Sequence, residues 1–327
     1  MKTQIATIQS QNGVVENGVI RTADEMRFEW LEKYVGGKKH TKTAYKTALK
    51  SFEAFLKNAG VDFWNTDEKV IQSYVEFLDA NKAHATKNLY LLALKNFFKF
   101  LQAKGVLVKN PTEFVRIRSQ KTRTFQKGFL MRDKAAELLK SVEGVDVESL
   151  RNKAFLGLVL TAGLRACEVV RADLKDFDRD PNGTRILRVF GKGRDGKDEF
   201  VKIAPPVESL IKTYLNARQK VQGGLISADE PLFVAHGKGH RGRLTERTFS
   251  KIAKNALKKI GFDSPRYTLH SLRHTCATMI LEAGGTEFDA SQVLRHKDLT
   301  TTKIYTHELS RLKNNAELKV AEKLFSF

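Results

Sequence analysis

His270-Ser-Leu-Arg273-His274-Thr lies near the C-terminus of the chain and is followed by Leu294-Arg295-His296 and by Lys303-Ile-Tyr305-Thr-His307. An arginine, two histidines and a tyrosine at this spacing can surround one phosphate group. Arginine binds phosphate through two parallel hydrogen bonds and keeps its charge at every working pH. The tyrosine adds a hydroxyl nucleophile. The stretch therefore predicts a site for phosphate chemistry.

Two upstream strings supply further cations. Thr161-Ala-Gly-Leu-Arg165-Ala-Cys-Glu168-Val adds a second arginine, and Gly191-Lys192-Gly193 places a lysine between two turn glycines. A phosphodiester carries a negative charge that repels nucleophiles, so attack first requires cations at its non-bridging oxygens. Together the strings predict a site that breaks and rejoins DNA through a phosphotyrosine, with no metal and no cofactor.

Each side chain of this site suits one chemical step. Tyr305 would attack phosphorus and hold the 3′ end of the broken strand. Because a free tyrosine has a pKa near ~10, it needs adjacent cations or a base, and His270 is the candidate for that base or for a phosphate hydrogen bond. His296 would donate to the phosphate oxygens. Lys192 is the candidate acid for the leaving 5′ oxygen.

Two neighbouring residues bear on these assignments. Lys197 lies in the same predicted hairpin as Lys192 and could carry the proton in its place, although the Gly-Lys-Gly context favours Lys192. Glu168 follows Arg165 by one helical turn and is predicted to orient an arginine or a histidine rather than to act as a base.

These residues resemble the active site of the tyrosine recombinases, also called the phage integrase family. The resemblance runs from about Arg21 to the end of the chain and covers six positions in the family's order: Arg165, Lys192, His270, Arg273, His296 and Tyr305. It departs at Arg295, where the family usually has glycine, and at Ala172, where leucine is common. Both departures are expected to affect local packing and substrate fit rather than activity. The resemblance implies a mainly α fold with a small β component (α+β), in which a helical core-binding domain and a mixed catalytic domain form a C-shaped clamp on DNA.

The resemblance also implies partners. Four protomers would pair two double-stranded DNA sites as a tetramer and exchange strands through a Holliday junction, with accessory DNA-binding proteins left open. Because about twenty residues precede the helical block, the layout is more similar to Xer-type or simple mobile-element recombinases than to integrases with a separate arm-site domain. Two alternatives stay open: a type IB topoisomerase, and a catalytically idle architectural DNA-binding protein.

Composition favours a nucleic-acid partner. The chain has 327 residues, 41% of them hydrophobic, which suggests two domains with cores of their own. A formal net charge of +20 favours a polyanionic partner, and the sequence lacks both a long apolar run and a signal peptide. We therefore expect a cytoplasmic protein with no membrane partner.

The two cysteines adjoin the site arginines. Cys167 and Cys276 are expected to be small buried thiols in a reducing compartment. A redox switch stays open, because a thiol near two arginines could have a lowered pKa.

Charge and periodicity divide the chain into a polar extension (1–20) without expected regular structure, a helical domain (21–114), a basic linker (115–129) and a mixed domain (130–327). The resemblance implies that the helical domain is a SAM-like core-binding domain and that the mixed domain is catalytic.

The helical domain has two predicted apolar stripes, the first formed by Tyr45, Leu49, Phe52 and Leu56 and the second by Leu89, Ala93, Phe97 and Phe100. Lysines beside these stripes are predicted to contact DNA phosphates rather than solvent alone: Lys42, Lys46, Lys50, Lys95 and Lys99. The linker adds further candidates for DNA contact: Arg116, Arg118, Lys121 and Arg123.

Several elements are predicted in the catalytic domain. A mostly apolar helix over 148–162 should end at Gly163, and two β-rich runs, 185–190 and 199–203, should form a hairpin with Lys192 near its tip. Further helices are predicted over 269–283, 290–296 and 300–307. A tail helix over 316–327 has an apolar face that would pack on its own domain or, as the resemblance implies, on a neighbouring protomer.

Overall fold

Helices form most of the two units into which the chain divides, Met1–Thr122 and Arg123–Phe327. The computed structural model describes residues 9–10, 13–16, 19–36, 39–117, 128–191, 196–237, 242–296, 306, 309–311 and 314–325. Two small antiparallel sheets accompany the helices in these ranges. The prediction of a mainly α fold with a small β component is therefore confirmed.

A three-stranded sheet begins the first unit. It consists of β1 (Gln9–Ser10), β2 (Gly13–Glu16) and β3 (Val19–Arg21), paired antiparallel in chain order. The register sets Val15 opposite Ile20. The expectation that residues 1–20 lack regular structure is wrong for these segments, because strands this short show too little alternation to stand out in the sequence.

The described α-helices of the first unit are α1 (Ala23–Glu29), α2 (Lys39–Ala59), α3 (Glu68–Asn81) and α4 (His84–Ala103). A π-helical turn, Trp30–Tyr34, extends α1. Side chains cap the helix starts: Thr22 and Glu25 form a capping box on α1, and Asp67 accepts the backbone N–H of Val70 on α3.

The apolar faces of α2, α3 and α4 meet in a core rich in aromatic rings. Tyr74 of α3 packs edge-on against Phe52 of α2, with ring centroids 5.0 Å apart. Buried residues from both predicted stripes line this core: Leu49, Phe52, Leu56, Ala93, Phe97 and Phe100. Leu89, predicted on the second stripe, is instead exposed.

The described helices of the second unit are α5 (Arg132–Lys140), α6 (Val147–Ala162), α7 (Ala166–Arg171), α8 (Pro205–Gln222), α9 (Glu246–Lys259), α10 (Leu269–Glu282), α11 (Glu287–Leu294) and α12 (Ala316–Phe325). The core of this unit is built around α6. Phe155 of α6 is fully buried, and its ring centroid lies 4.5 Å from that of Phe249 on α9. The prediction of an apolar helix ending at Gly163 is confirmed.

The second sheet consists of β4 (Phe177–Arg179), β5 (Arg185–Val189) and β6 (Glu199–Lys202), antiparallel in that order. The predicted hairpin is confirmed in its two strands, and its tip, residues 192–195, lies outside the described residues. The sequence did not predict β4, which has only three residues.

The C-terminal helices differ slightly from the predictions. α11 starts at Glu287, earlier than the predicted residue 290, because Thr286 and Asp289 form a capping box. The predicted helix over 300–307 lies outside the described residues except for Thr306. α12 falls within the predicted tail helix, and none of its residues is buried. In the described part of the chain, no helix has the length and apolar character needed to cross a membrane.

Candidate active site

The turn between α6 and α7 positions Arg165. α6 ends at Gly163, which has a left-handed backbone with φ +56°, and a Cβ there would lie 2.4 Å from Leu294 Cδ2. Only glycine satisfies both the backbone angle and the close approach. Arg165 then caps α7, and its backbone N–H donates to Glu168 Oε2 at 2.8 Å.

The Arg165 guanidinium is held by a carboxylate and a carbonyl. One terminal nitrogen donates to Glu168 Oε1 at 2.6 Å, and the other donates to the carbonyl of Arg295 at 3.1 Å. The side chain remains 24% exposed, so part of the guanidinium faces solvent. Arginine carries five N–H donors, and those that these contacts leave unused can bind a phosphate.

Arg273 is almost fully buried and, like Arg165, contacts the end of α11. It lies on α10, is 2% exposed, and donates hydrogen bonds to the carbonyls of Gly163 and Leu294. These bonds join the end of α6, the middle of α10 and the end of α11. Both predicted arginines therefore meet at the C-terminus of α11.

His296 directly follows this meeting point. Burial, together with the positive charges of Arg273 and Arg165, lowers the pKa of His296 from 6.5 to about 4. The imidazole is therefore neutral at pH 7 and carries one N–H donor. His270, an exposed residue of α10, is near enough to affect the same pKa, and its ring packs edge-on against His274 with centroids 4.4 Å apart.

Glu168 lies buried between two arginines. Burial alone would raise its pKa, but the charge of Arg295 and the hydrogen bond from the Arg165 backbone outweigh it, so the pKa is lowered. Arg295 Nη2 donates to Glu168 Oε2 at 2.6 Å. The carboxylate thus stays ionised and orients Arg165, which is the arrangement that the sequence predicts for Glu168.

The predicted lysine and tyrosine are not part of this geometry, because Lys192 and Tyr305 lie outside the described residues. Lys197 is described, and its ammonium forms ion pairs with Asp173 at 2.8 Å and with the buried Asp176. These pairs hold Lys197 against the start of the second sheet. They favour Lys192 over Lys197 as the proton donor.

The redox hypothesis for the cysteines does not agree with their surroundings. Burial raises the pKa of Cys276 to about 12, and it also raises the pKa of Cys167, where Glu168 adds to the effect. Desolvation of the thiolates outweighs the nearby arginines. The hypothesis of a lowered thiol pKa is therefore wrong. Cys276 is buried as predicted, whereas Cys167 is half-buried.

The predicted DNA-binding residues of the first unit have mixed surroundings. Lys42 forms an ion pair with Glu32 at 2.8 Å, whereas Lys46, Lys50 and Lys99 are exposed. Burial, together with the positive charge of Arg116, lowers the pKa of Lys95. The remaining linker candidates, Arg118, Lys121 and Arg123, lie outside the described residues.

Sequence reasoning missed two residues of the site, Arg295 and Glu199. Position 295 is predicted to affect only packing and substrate fit, whereas the Arg295 guanidinium contacts Glu168 and its carbonyl accepts from Arg165. Glu199, the first residue of β6, approaches Arg295 Nε at 3.8 Å. The departure from glycine at position 295 was the available signal. Within the described ranges, no group of three or more His, Cys, Asp and Glu side chains could hold a metal ion.

Family models match both units. The model described as "Phage integrase family" matches residues 128–311, and the model described as "Phage integrase, N-terminal SAM-like domain" matches residues 28–105. The tyrosine recombinase XerC of Roseiflexus castenholzii is 30% identical over 273 residues, which is 82% of this chain and 83% of the relative. XerD of Caulobacter vibrioides is 30% identical over 272 residues, which is 82% of this chain and 86% of the relative.

Solved structures share the fold at lower identity. XerH bound to palindromic difH substrate matches with a TM-score of 0.69 and 21% identity, covering 86% of this chain and 79% of XerH. A lambda integrase tetramer bound to a Holliday junction matches with a TM-score of 0.63 and 19% identity, covering 86% of this chain and 75% of the integrase.

Proposed function

The chain belongs to the phage integrase family and is a tyrosine-type site-specific DNA recombinase, and we propose that Tyr305 carries the 3′-phosphotyrosine through which it cleaves and rejoins DNA. The observation that carries the proposal is the convergence of Arg165 and Arg273 on the C-terminus of α11, directly beside His296. These two guanidinium groups, which we call the arginine pocket (Arg165 and Arg273), are suited to bind one phosphodiester. The proposed catalytic residues are Arg165, Lys192, His270, Arg273, His296 and Tyr305.

Each cleavage step conserves one phosphoester bond. The Tyr305 oxygen forms a bond to phosphorus while the bond from phosphorus to the 5′ oxygen breaks. The proton of Tyr305 passes to His270, and Lys192 donates a proton to the leaving 5′ oxygen. Arg165 and Arg273 stabilise the negative charge that develops on the non-bridging oxygens, and neutral His296 donates its N–H there. Attack by a 5′ hydroxyl of the partner strand reverses these steps and joins the exchanged strands.

In the proposed domain organisation, the core-binding domain (21–114), the linker (115–129) and the catalytic domain (130–327) each contact the DNA. The exposed ammonium groups of Lys46, Lys50 and Lys99 support phosphate contacts by the first domain. On binding DNA, the ammonium group of Lys42 would leave its ion pair with Glu32 and contact a phosphate instead.

The proposed assembly is a tetramer on two DNA sites that acts in the cytoplasm and passes through a Holliday junction. α12 supports contacts between protomers, because Val320, Leu324 and Phe325 are more than half exposed on a helix with no buried residue. An apolar face of this kind is a suitable contact for a second copy of the chain.

A trapping experiment tests the proposed function. DNA linked covalently to the protein in cells is sequenced to identify the site, which is then made with a nick opposite the cleavage point. We expect wild-type protein to form an adduct that survives denaturation, and Tyr305→Phe to bind the site without forming it. Plasmids with one or two sites distinguish the alternatives: relaxation without exchange indicates topoisomerase activity, and binding without an adduct indicates an architectural protein.

A further inference from the structure

Arg295 has an unusual backbone for its residue type. It follows α11 with φ +53°, and among the residues that the structure describes it is the one non-glycine residue with a positive φ. Side chains with a Cβ disfavour this region, and strain of this kind persists only where the surrounding contacts hold the residue in place. The side-chain contacts of Arg295 show which groups hold the residue in this backbone conformation.

Two contacts tie Arg295 to the arginine pocket. Its Nη2 donates to Glu168 Oε2 at 2.6 Å, while Glu168 Oε1 accepts from Arg165 at 2.6 Å. Its Nη1 donates to the carbonyl of Val293 at 2.6 Å, which fixes the guanidinium against the end of α11. One buried carboxylate is therefore shared by Arg165 and Arg295.

A third contact points to the hairpin. Arg295 Nε and Glu199 Oε2 are both buried and lie 3.8 Å apart, and within the described part of the chain neither atom has a hydrogen-bond partner. Glu199 begins β6 and pairs in register with Val189, the last residue of β5 and three positions before Lys192. The contact therefore joins the strand end next to Lys192 to the end of α11.

The distance of 3.8 Å between Arg295 Nε and Glu199 Oε2 is about 1 Å too long for a hydrogen bond. Charge-assisted N–H···O bonds measure ~2.7–2.9 Å, so a shift of about 1 Å by the hairpin would close it. Unsatisfied buried polar atoms are costly, which favours the closed pair once the hairpin can move. Direct contact between Arg295 and DNA is disfavoured, because its three guanidinium nitrogens face Glu168, the carbonyl of Val293 and Glu199.

We propose that Arg295 is a positioning residue: by closing on Glu199 it docks the hairpin on the arginine pocket and so delivers Lys192 to the leaving 5′ oxygen. The proposal rests on the proposed function, in which Lys192 is the general acid. Arg295 then acts on both sides of the scissile phosphate, through Glu168 on Arg165 and through Glu199 on Lys192.

The test compares cleavage of the nicked site with that of the same DNA carrying sulfur in place of the 5′ bridging oxygen. A thiolate leaves without a proton donor, so defects in delivering Lys192 disappear with sulfur. We expect Glu199→Gln to slow cleavage of normal DNA by ~10–100-fold, the range found for outer-shell orienting groups, and to cleave the sulfur substrate within a few-fold of wild type.

The double variant tests the coupling. On normal DNA, Arg295→Gly with Glu199→Gln should be no slower than the slower single variant, because the two residues act through one contact. On the sulfur substrate, only the defect that Arg295→Gly causes through Glu168 should remain. Glycine suits the positive φ, so Arg295→Gly should fold, and melting curves check this. Asp178→Asn removes an exposed carboxylate of the same sheet and is the matched control.

Three outcomes would overturn the proposal: wild-type cleavage by Glu199→Gln, equal slowing of both substrates by Glu199→Gln, or multiplicative defects in the double variant. Lys192→Ala is measured in parallel. If sulfur rescues Lys192→Ala but not Glu199→Gln, the docking contact fails while the proposed function stands. If sulfur does not rescue Lys192→Ala, the general-acid role itself fails.

Discussion

The guanidinium of Arg273 is held by two backbone carbonyls, whereas that of Arg165 is held mainly by a carboxylate. Because of this difference, we expect Arg273 to contribute more than Arg165 to the free energy of unfolding. Arg273 joins three helix segments and is buried. Arg165 lies nearer the surface. Its partner Glu168 also pairs with Arg295, so Glu168 would still have an arginine partner if Arg165 were replaced.

We expect both Arg165→Ala and Arg273→Ala to reduce cleavage by orders of magnitude, because one charge-assisted donor in such a site contributes roughly 3–4 kcal/mol. Arg273→Ala should also lower the free energy of unfolding by about 1–3 kcal/mol, because it leaves two buried carbonyls without donors. Arg165→Ala should lower it much less. Chemical denaturation measures both values, and equal stability of the two variants would contradict the assignment.

His296 should make the DNA-free protein sensitive to acid. Its pKa is 6.5 in an ordinary environment and about 4 in the fold. Between these values the unfolded chain binds the proton more readily than the folded chain does, so stability is full above the unfolded pKa and declines as pH falls towards the folded one. We expect the melting temperature to fall more between pH 7 and pH 5 in wild type than in His296→Gln. Equal losses would show that another group titrates.

The sequence could predict which site residues lie together where those residues share a helix or belong to one motif. Arg273 and His270 lie one turn apart on α10, and Arg165 is fixed by the glycine that ends α6. The contact of Arg295 with Glu199 could not be predicted, because it depends on a positive φ and on two segments distant in the sequence. The predicted direction of the thiol pKa shift was wrong, because the sequence shows which residues adjoin each cysteine but not how deeply the thiol is buried.

At the scale of elements, the best predictions were those with a clear terminal signal. The glycine after α6 and the glycines within the hairpin mark ends that local chemistry determines. β4 was missed, since it has three residues and forms only by pairing with β5. The start of α11 was misplaced because the apolar pattern begins after the capping box that starts the helix.

Removal of α12 tests the proposed contact between protomers. We expect a chain truncated before Ala316 to fold with nearly the melting temperature of wild type, because α12 has no buried residue. It should bind a single half-site but lose cooperative pairing on a full site. Half-site and full-site gel shifts measure this. A much lower melting temperature with unchanged cooperativity would show that the helix packs on its own chain.

For the whole molecule, the dominant property is a formal net charge of +20. Lysines and arginines that contact DNA phosphates displace condensed cations, so the binding constant should fall with salt. With about six to ten phosphate contacts, we expect affinity to fall by ~10³–10⁵ between ~50 and ~200 mM salt. Filter binding on the identified site measures the slope. A flat profile would contradict extensive backbone contact.

The central claim is that Tyr305 becomes joined to the 3′ phosphate of the cleaved strand. The direct measurement is mass spectrometry of the trapped adduct after nuclease and trypsin digestion. The account predicts a nucleotide remnant on Tyr305 in the peptide covering residues 304–311, and a free 5′ end on the released strand. A remnant on any other residue, or protein joined to the 5′ end, would contradict it.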